Sequence, residues 1–489
     1  MNRLLSQLLL LFFLLASPLL QAHIGSPNVM YEGLAGSYHL RVSIRPPSVV
    51  PGLADINVRV IAGDASKVTV LPVRFDVGQS GTPPPDEAKP VKGELGLYSA
   101  QLWLMTSGAY SIHVNVEGKQ GPGFTVVPVN SVATTRLPMP QWLGAALLAM
   151  AGGLLLALVT LVGAAVRESV LAPGESPGRR DRIRSAVAMV LAFVVLSAGV
   201  YGGRKWWNKV DSNYRNNKMY KADPLITSLA TNAGKLALSV QIDSGRGRPL
   251  LVPDHGKLMH LFIVKQDDLN AFAHLHPAPA GKKRIFECAL PPLPGGRYSL
   301  YADITHENGF TQTLTSDLSL PEPGDPAIAS TSLDSDDAWI ATSGSGSNVF
   351  ILPKNLLMKW EKPDVLDSSR DTTLRFQVLD SNGRPARLEP YLGMQGHAVL
   401  RHQDASVFTH IHPFGTISMA SQEIFVKREQ AVAPNRKTLE VVCGVPSKDD
   451  FISFPYHFPK PGHYRIWIQV KHQSEVLTGC FDADVVGSG

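Results

Sequence analysis

The sequence predicts a mainly β chain built from three β-sandwich modules and a two-helix transmembrane hairpin. Its 489 residues include 42 glycines, 37 prolines and only three cysteines, a composition that suits many short strands joined by turns. Two long uncharged apolar segments favour membrane-spanning helices, and the second half contains an internal repeat. Since a single core stops growing at roughly 250–300 residues, we expect several domains.

The chain begins with the features of a secretory signal peptide, which we assign to residues 1–22. Arg3 precedes an apolar stretch over 4–15 interrupted only by Ser6 and Gln7, and the small residue Ala22 stands at the expected cut. This stretch is shorter than the roughly 18–20 residues of a membrane span, so we predict cleavage after Ala22 and export of the next segment.

Residues 23–138 are predicted to form an extracytoplasmic β-sandwich. Apolar residues alternate at Leu40, Val42 and Ile44, and the pattern recurs over 56–60 and 110–116, as in half-buried strands. Cleavage would also expose His23, whose amine and imidazole form a separate copper-chelating hypothesis, with His39 or His113 as a third nitrogen ligand. The alternative is a solvated terminus without a ligand.

Residues 142–166 and 185–203 are predicted transmembrane helices, joined by a cytoplasmic loop over 167–184 that contains five arginines. Basic residues also follow the second helix, so the signal peptide decides the orientation. Both large regions then lie on the periplasmic side of a bacterial inner membrane. Neither helix contains an interior Asp, Glu, His or Cys, which favours an anchor in the lipid bilayer over a transport path.

The internal repeat relates residues 222–322, here called the first repeat, to residues 365–489, the second repeat. Residues 256–277 read GKLMHLFIVKQDDLNAFAHLHP and residues 393–413 read GMQGHAVLRHQDASVFTHIHP, which align with one deletion. An upstream Asp-Ser turn closed by Gly-Arg-Pro and a downstream Tyr-to-His spacing also match. We therefore predict two copies of one β-sandwich, separated by a polar linker over 323–364.

These features give the repeats a resemblance to the YtkA-like and CopC-like modules of bacterial periplasmic proteins. The resemblance rests on the Asp-Ser turn with its Gly-Arg-Pro, on the Met- and Gly-containing approach to a histidine strand, and on the Pro-Gly strand with its tyrosine. It covers most of each repeat. It implies immunoglobulin-like sandwiches of about seven strands and a metal-binding role in a copper-related context.

Histidines occupy matching positions in the two repeats. The pairs are His260 with His397, His274 with His410, His276 with His412, and His306 with His472. Residues two apart on a strand point to the same face, so each His-x-His motif projects two rings side by side. Folding the hairpin about its turn then brings a third ring opposite them, which predicts three imidazoles on one patch in each repeat.

Three neutral imidazoles are ligands that suit Cu(II) or Zn(II). His306 and His472 are candidate fourth ligands if their strand neighbours the hairpin, and thioether ligands from Met259 and Met394 would favour copper in its reduced state. The alternative is that the imidazoles are structural and bond backbone carbonyls at strand ends. Histidines without a counterpart in the other repeat are expected at the surface; they are His255, His402, His457 and His463.

Other classes of function lack support in the sequence. The net charge of +5 comes from scattered residues, so nucleic acid is not an expected partner. No nucleotide-binding glycine loop or hydrolase elbow is present, and three cysteines without a CxxC pair do not indicate a thiolate metal site. Cys443 and Cys480 are candidates for a disulfide bond in an oxidising compartment.

The sequence therefore predicts a non-enzymatic, membrane-anchored extracytoplasmic protein. It would bind a metal ion, copper before zinc, for sequestration or delivery. One alternative is a scaffold whose sandwiches bind a protein or glycan and whose histidines are structural. Another, a metal-dependent oxidase or hydrolase, requires an open coordination position and a general base.

Overall fold

The structure is a computed structural model that describes residues 28–169, 171–172, 174–232, 235–245, 248–281, 284–321, 334–344, 346–432 and 450–487. The predicted signal peptide, His23 and Cys443 lie outside the described residues. The chain is mainly β and divides into two compact units. One combines the residues up to Val132 with those from Lys221 onward, and the other is Ala133–Tyr220.

The amino-terminal domain contains eight strands in the order β1-β2-β3-β6-β5-β4-β7-β8. They are β1 (Val29–Ala35), β2 (Tyr38–Arg45), β3 (Gly52–Ala62), β4 (Ala65–Arg74), β5 (Asp86–Pro90), β6 (Leu97–Leu104), β7 (Gly108–Gly118) and β8 (Gly123–Ser131). Leu40, Val42 and Ile44 are fully buried, which confirms the predicted alternation. Tyr31 of β1 and Val127 of β8 share one core, so the sheet curves back on itself.

The unit between residues 133 and 220 is a pair of helices, α1 (Gln141–Glu168) and α2 (Arg179–Asn213), followed by a π-helical turn over Tyr214–Lys218. Both helices are long and apolar enough to cross a membrane. They pack on each other where the Ser185 hydroxyl donates a hydrogen bond to the Gly163 carbonyl at 2.6 Å. Helix α2 begins inside the segment predicted as a loop, because residues 179–184 are already helical.

The first repeat places two sheets around one core. Its strands are β9 (Leu225–Asn232), β10 (Lys235–Ile242), β11 (Leu251–Val252), β12 (His260–Lys265), β13 (Ala271–Leu275), β14 (Ala278–Pro279), β15 (Ile285–Ala289), β16 (Gly296–His306) and β17 (Thr311–Leu320), with β18 (Ala338–Ala341) added at an edge. One sheet has the order β14-β15-β10-β9. The other has the order β11-β16-β12-β13-β18, with β17 paired to β16.

The second repeat also encloses a core between two sheets, of order β19-β20-β22-β25 and β21-β27-β26-β23-β24. Its elements are β19 (Val349–Leu352), β20 (Leu356–Trp360), β21 (Leu366–Asp367), β22 (Asp371–Leu379), β23 (His397–His402), β24 (Phe408–Ile411), helix α3 (Met419–Val432), β25 (Ile452–His457), β26 (Gly462–His472) and β27 (Glu475–Val486). Helix α3 lies in the insertion that makes the second copy longer than the first.

The segment predicted as a linker is not simply a connection. Of residues 323–364, the described part contains β18, which pairs with β13 of the first repeat. It also contains β19 and β20, which pair with each other, and β20 pairs with β22 of the second repeat. The polar Ser and Gly composition concealed these short strands, of which β18 has a partner distant in sequence.

The two repeats pack against each other through the outward faces of their histidine hairpins. On β12, Leu261 and Ile263 point into the core of the first repeat. Phe262, on the opposite face, lies in a second apolar cluster together with Val399 and Phe408 of the second repeat. Because strand side chains alternate, β12 is buried on both faces, and the polar residues on its outward face are buried as well.

The amino-terminal domain is joined to the second repeat by the 413–418 loop, which directly follows the second His-x-His motif. The Glu32 amide donates a hydrogen bond to the Phe414 carbonyl at 2.8 Å. Phe414 is fully buried in the core of the amino-terminal domain. A Cβ on Gly415 would lie 2.0 Å from the Met30 carbonyl oxygen, so this close backbone approach requires glycine.

We expect Phe414→Ala to lower the free energy of unfolding by about 3–5 kcal/mol, the usual cost of removing a buried phenylalanine side chain. Urea denaturation followed by intrinsic fluorescence measures the change. Leu95→Ala is the control, because Leu95 is 97% exposed and its loss should change stability by less than about 0.5 kcal/mol. Equal stabilities of the two variants would contradict the shared core.

Candidate metal centre

Seven imidazoles gather at the interface between the two repeats, and we call them the histidine centre. Neighbouring ring centroids lie 4.4–6.3 Å apart. Four of the rings come from the first repeat and three from the second. They are His255, His260, His274 and His276, and His397, His410 and His412.

The registers of the two hairpins agree with the predicted pairing. Phe262 lies opposite His274 on β12 and β13, which places His260 level with His276. In the second repeat Ala398 lies opposite Ile411, and this sets His397 level with His412. In each repeat the histidines therefore lie on the face that the other repeat covers, and two predicted patches become one centre.

Two groups of three rings bring their nitrogens within ligand distance of each other. The first triad is His260, His274 and His276, and the second triad is His255, His397 and His412. Within each triad the candidate ligand nitrogens all lie within 4.8 Å of one another. His410 belongs to neither triad, but its ring centroid lies 4.4 Å from that of His412 and 5.5 Å from that of His260.

The prediction that His255 is a surface residue is wrong. Its side chain has no exposed area, and its ring centroid lies 5.0 Å from that of His412 in the other repeat. His255 has φ of 52° and Gly256 has φ of 80°, so a left-handed turn directs the ring across the interface. The His-Gly pair just before the histidine strand was the available sequence signal, since histidine is one of the residues enriched in this conformation.

The other unmatched histidines are also less exposed than predicted, but they lie outside both triads. His402 and His457 are buried. The His402 Nδ1 lies 2.6 Å from an Asp404 carboxylate oxygen, and the His457 Nδ1 lies 3.0 Å from Asp371. His463 is half-buried, with Nδ1 at 2.9 Å from Asp484. Carboxylate partners account for these three rings.

The predicted fourth ligands are not in the centre. The His306 Nδ1 donates a hydrogen bond to the Pro249 carbonyl at 3.2 Å, and the His472 Nδ1 donates to the Arg387 carbonyl at 2.8 Å. Met259 packs in the core of the first repeat and Met394 in that of the amino-terminal domain. Both side chains are thus accounted for by apolar packing.

Hydrogen bonds to one nitrogen of a ring leave the other nitrogen facing the centre. The His276 Nδ1 donates to Asp337 at 2.9 Å, and the His412 Nδ1 donates to the Ile417 carbonyl at 3.1 Å. In a neutral ring, a proton on Nδ1 leaves Nε2 bare. This is the usual outer-shell arrangement of a metal-binding histidine.

Several of these buried ring nitrogens have no hydrogen-bond partner among the described residues. They are His276 Nε2, His410 Nε2, His412 Nε2 and both nitrogens of His397. A buried polar atom without a partner costs about 1–3 kcal/mol, and native structures contain few of them. Their concentration in one place makes bare imidazole nitrogens available to an ion or to a water molecule.

Two rings of the first triad satisfy each other instead. The His260 Nδ1 lies 3.1 Å from the His274 Nε2. The remaining nitrogen of His260 donates to the Asp254 carbonyl at 3.2 Å, and that of His274 lies 2.8 Å from Gln469 Oε1. Binding a metal at the first triad would therefore break this hydrogen bond, with the proton of His274 moving from Nε2 to Nδ1, where Gln469 Oε1 accepts it.

Burial keeps these imidazoles neutral. Desolvation, followed by repulsion between neighbouring rings, lowers the pKa of His260, His274, His397 and His412 well below the usual range. The same causes lower the pKa of His410 to about 3. Neutral imidazole is the form that binds metal ions, so these five rings are available as ligands in the folded protein at neutral pH.

Carboxyl groups also lie beside rings of the centre. Asp303 lies 3.5 Å from the His410 Nδ1 and accepts a hydrogen bond from the Thr313 hydroxyl at 2.6 Å, and burial raises the pKa of Asp303 to about 7. Asp254 lies 3.6 Å from the His255 Nε2. His276 forms a further group of candidate ligands with Asp334 and Asp337.

Comparisons with known proteins relate the two repeats to a domain family. Residues 225–320 and 355–487 match the model of a family described as Domain of unknown function (DUF8832). All seven rings of the histidine centre lie within these two ranges. No curated protein matches the chain.

Similarities to solved structures are weak. A mutant of Salmonella alpha-2-macroglobulin is 10% identical with a TM-score of 0.17, and the match covers 94% of this chain and 23% of that one. The BSP domain of a biofilm associated protein is 5% identical with a TM-score of 0.14, over 98% and 70%. The titin domains Z1Z2 in complex with telethonin are 10% identical with a TM-score of 0.13, over 55% and 95%. This chain thus spans about a quarter of the alpha-2-macroglobulin chain, and TM-scores this low indicate neither fold nor function.

We expect the metal-free protein to lose stability as the pH falls from about 6.5 toward 3. In that range the unfolded chain protonates histidines that remain neutral in the folded protein, so stability decreases with falling pH. Each such group contributes up to about 1.4 kcal/mol per pH unit. Asp303, whose pKa is raised to about 7, acts in the opposite direction but is a single group.

Thermal unfolding of chelator-treated protein between pH 7.5 and 4.5 measures this dependence. His410→Gln removes one of the titrating rings, so its unfolding midpoint should fall less steeply with acidification than that of the unaltered protein. A pH profile of the same slope in both proteins would contradict the burial of His410 as a neutral ring.

Proposed function

We propose that this protein is a membrane-anchored, extracytoplasmic metal-binding protein that holds copper, or alternatively zinc, at the histidine centre. The observation that carries the proposal is the set of buried imidazole nitrogens without a partner among the described residues, on His276, His397, His410 and His412. Metal coordination would satisfy these nitrogens. In the scaffold alternative, ordered water would have to satisfy the same nitrogens.

The chemistry of the ligands selects the class of ion. Both triads offer only imidazole nitrogen, which suits Cu(II) and Zn(II), whereas magnesium and calcium require mainly oxygen ligands. Carboxylates lie behind the rings, as Asp337 does behind His276, where they orient the imidazoles. The resemblance of the repeats to copper-related periplasmic sandwiches favours copper.

The burial of the site favours retention of the ion over rapid exchange. The rings of the two triads have little or no exposed area, with His274 and His397 completely buried. An ion in this position would leave only after the two repeats separate locally. We therefore propose sequestration as the role of the centre, and delivery to another protein would require such an opening.

The membrane-anchored part of the proposal rests on α1 and α2, which are long and apolar enough to cross a membrane. With the signal peptide predicted at residues 1–22, two spans return the chain to the side from which it started. The amino-terminal domain and both repeats would then lie together in the periplasm, attached to the inner membrane. As three immunoglobulin-like sandwiches, they would serve as a non-enzymatic scaffold for the centre.

The proposal predicts that purified full-length protein in detergent, loaded with Cu(II) or Zn(II) and dialysed, retains metal in elemental analysis. The double variant His276→Ala with His412→Ala removes one ligand from each triad and should lose most of it. His472→Ala is the matched control, because its ring bonds the Arg387 carbonyl outside the centre. A double variant that is folded by circular dichroism yet retains full metal would refute the proposal.

Metal binding should also stabilise the fold, because the ligands are assembled only in the folded chain. At a free metal concentration of 100 times the dissociation constant the gain is about 2.7 kcal/mol. We expect Zn(II) to raise the thermal midpoint of the unaltered protein and of His472→Ala, but not that of the double variant. An equal rise in all three would indicate binding elsewhere.

A further inference from the structure

We infer that the histidine centre binds two metal ions, one on each triad, and that the second triad fills first. This inference rests on the proposed function and adds the number of ions, the ligands of each and the order of binding. It assigns to His255, which has no histidine counterpart in the second repeat, the role of a ligand that connects the two repeats.

The number of rings exceeds what one ion can use. Copper and zinc bound by nitrogen are usually four-coordinate, whereas seven imidazoles meet here. The two triads are the groups of three imidazoles whose candidate ligand nitrogens all lie within 4.8 Å of one another among the described residues. Between triads the rings are farther apart, with centroids at 6.2 Å for His255 and His260 and at 6.3 Å for His274 and His397.

The second triad can form only when both repeats are in place. His397 and His412 belong to the second repeat, and His255 reaches them from a turn of the first, where Asp254 and Lys257 exchange backbone hydrogen bonds. An ion on this triad would therefore cross-link the repeats. The first triad, in contrast, lies entirely in the first repeat. His260 and His274 are on the two strands of one hairpin, and His276 directly follows the second of these strands.

The order of filling follows from the hydrogen bonds that each ion must replace. In the second triad, His397 has two unpartnered nitrogens and His412 has an unpartnered Nε2 among the described residues. In the first triad, the bond between His260 and His274 at 3.1 Å must be broken before both rings can bind an ion. An intramolecular hydrogen bond is worth about 1 kcal/mol net, so the second triad should bind several-fold more tightly.

His410 lies beside both triads, where it would supply a fourth ligand to the ion on either one. Its Nε2 has no partner in the described part of the chain. Its ring centroid lies 5.1 Å from that of His397 on one side and 5.7 Å from that of His274 on the other. Three imidazoles fill three of four coordination positions, and His410 is the fourth nitrogen ligand nearest to both sets.

The test is the number of ions bound by the full-length protein in detergent, measured by elemental analysis and by titration with Zn(II) against a chromophoric chelator. We expect two ions per chain, the first several-fold tighter. His255→Asn should abolish the tight step and leave one ion; asparagine also tolerates the left-handed turn. His276→Ala should abolish the weaker step, and the control His472→Ala should bind two ions.

The outcomes separate this inference from the proposed function. No bound ion in the unaltered protein would overturn both. A single ion in the unaltered protein would overturn the two-ion inference and leave the proposed function standing. Two ions in His255→Asn, with an unchanged tight step, would overturn the role of His255.

A spectroscopic measurement tests whether the ions share one centre. Two Cu(II) ions on adjacent triads should interact magnetically. Their electron paramagnetic resonance lines should then broaden, or the integrated signal should correspond to fewer than two spins per chain. His255→Asn and His276→Ala should each restore the signal of one isolated Cu(II). Two full non-interacting signals in the unaltered protein would overturn the placement of both ions in the histidine centre.

Discussion

The packing of two β-sheets through their outward faces is the constraint on which the histidine centre depends. Aromatic contacts provide much of the buried surface: Tyr301 stacks on Phe408 with ring centroids 3.8 Å apart, and Phe272 stacks on Trp467 at 4.6 Å. Burial of such side chains dominates interface energetics. The histidines lie on the same faces, so the packing that removes the aromatic rings from water also desolvates the imidazoles. Desolvation keeps them neutral, with bare nitrogens available as ligands.

The two repeats contribute unequally, although they share a fold. The same type of left-handed turn precedes the histidine strand in each, with His255 in the first repeat and Leu392 in the second at its positive-φ position. In the second repeat the turn instead supplies Tyr391, whose hydroxyl donates a hydrogen bond to the Asp336 carbonyl at 2.8 Å and lies 3.3 Å from the His274 Nδ1. Each turn thus reaches the other repeat, but only the first delivers a metal-binding side chain.

The centre also depends on the amino-terminal domain. The carbonyl of Ile417 accepts the hydrogen bond that orients His412, and both Ile417 and Phe414 are buried in the core of the amino-terminal domain. A change in that core would therefore shift the 413–418 loop and, through it, a ring of the second triad. The position of the His412 ring therefore depends both on the adjacent 413–418 loop and on the amino-terminal domain, which is distant in sequence.

Local patterns in the sequence were enough to establish the mainly β class, the apolar helices, the duplication and the register of both hairpins, because strand alternation and turn position are local properties. They identified six of the seven rings for the same reason. The merging of the two patches into one centre, the entry of His255 and the exclusion of His306 and His472 were set by tertiary packing. These outcomes depend on which sheet faces meet and on how a turn is directed across the interface. The strands within 338–360 were missed because their segment was judged by its polar Ser, Gly and Asp residues, and β18 pairs with a strand more than 60 residues earlier.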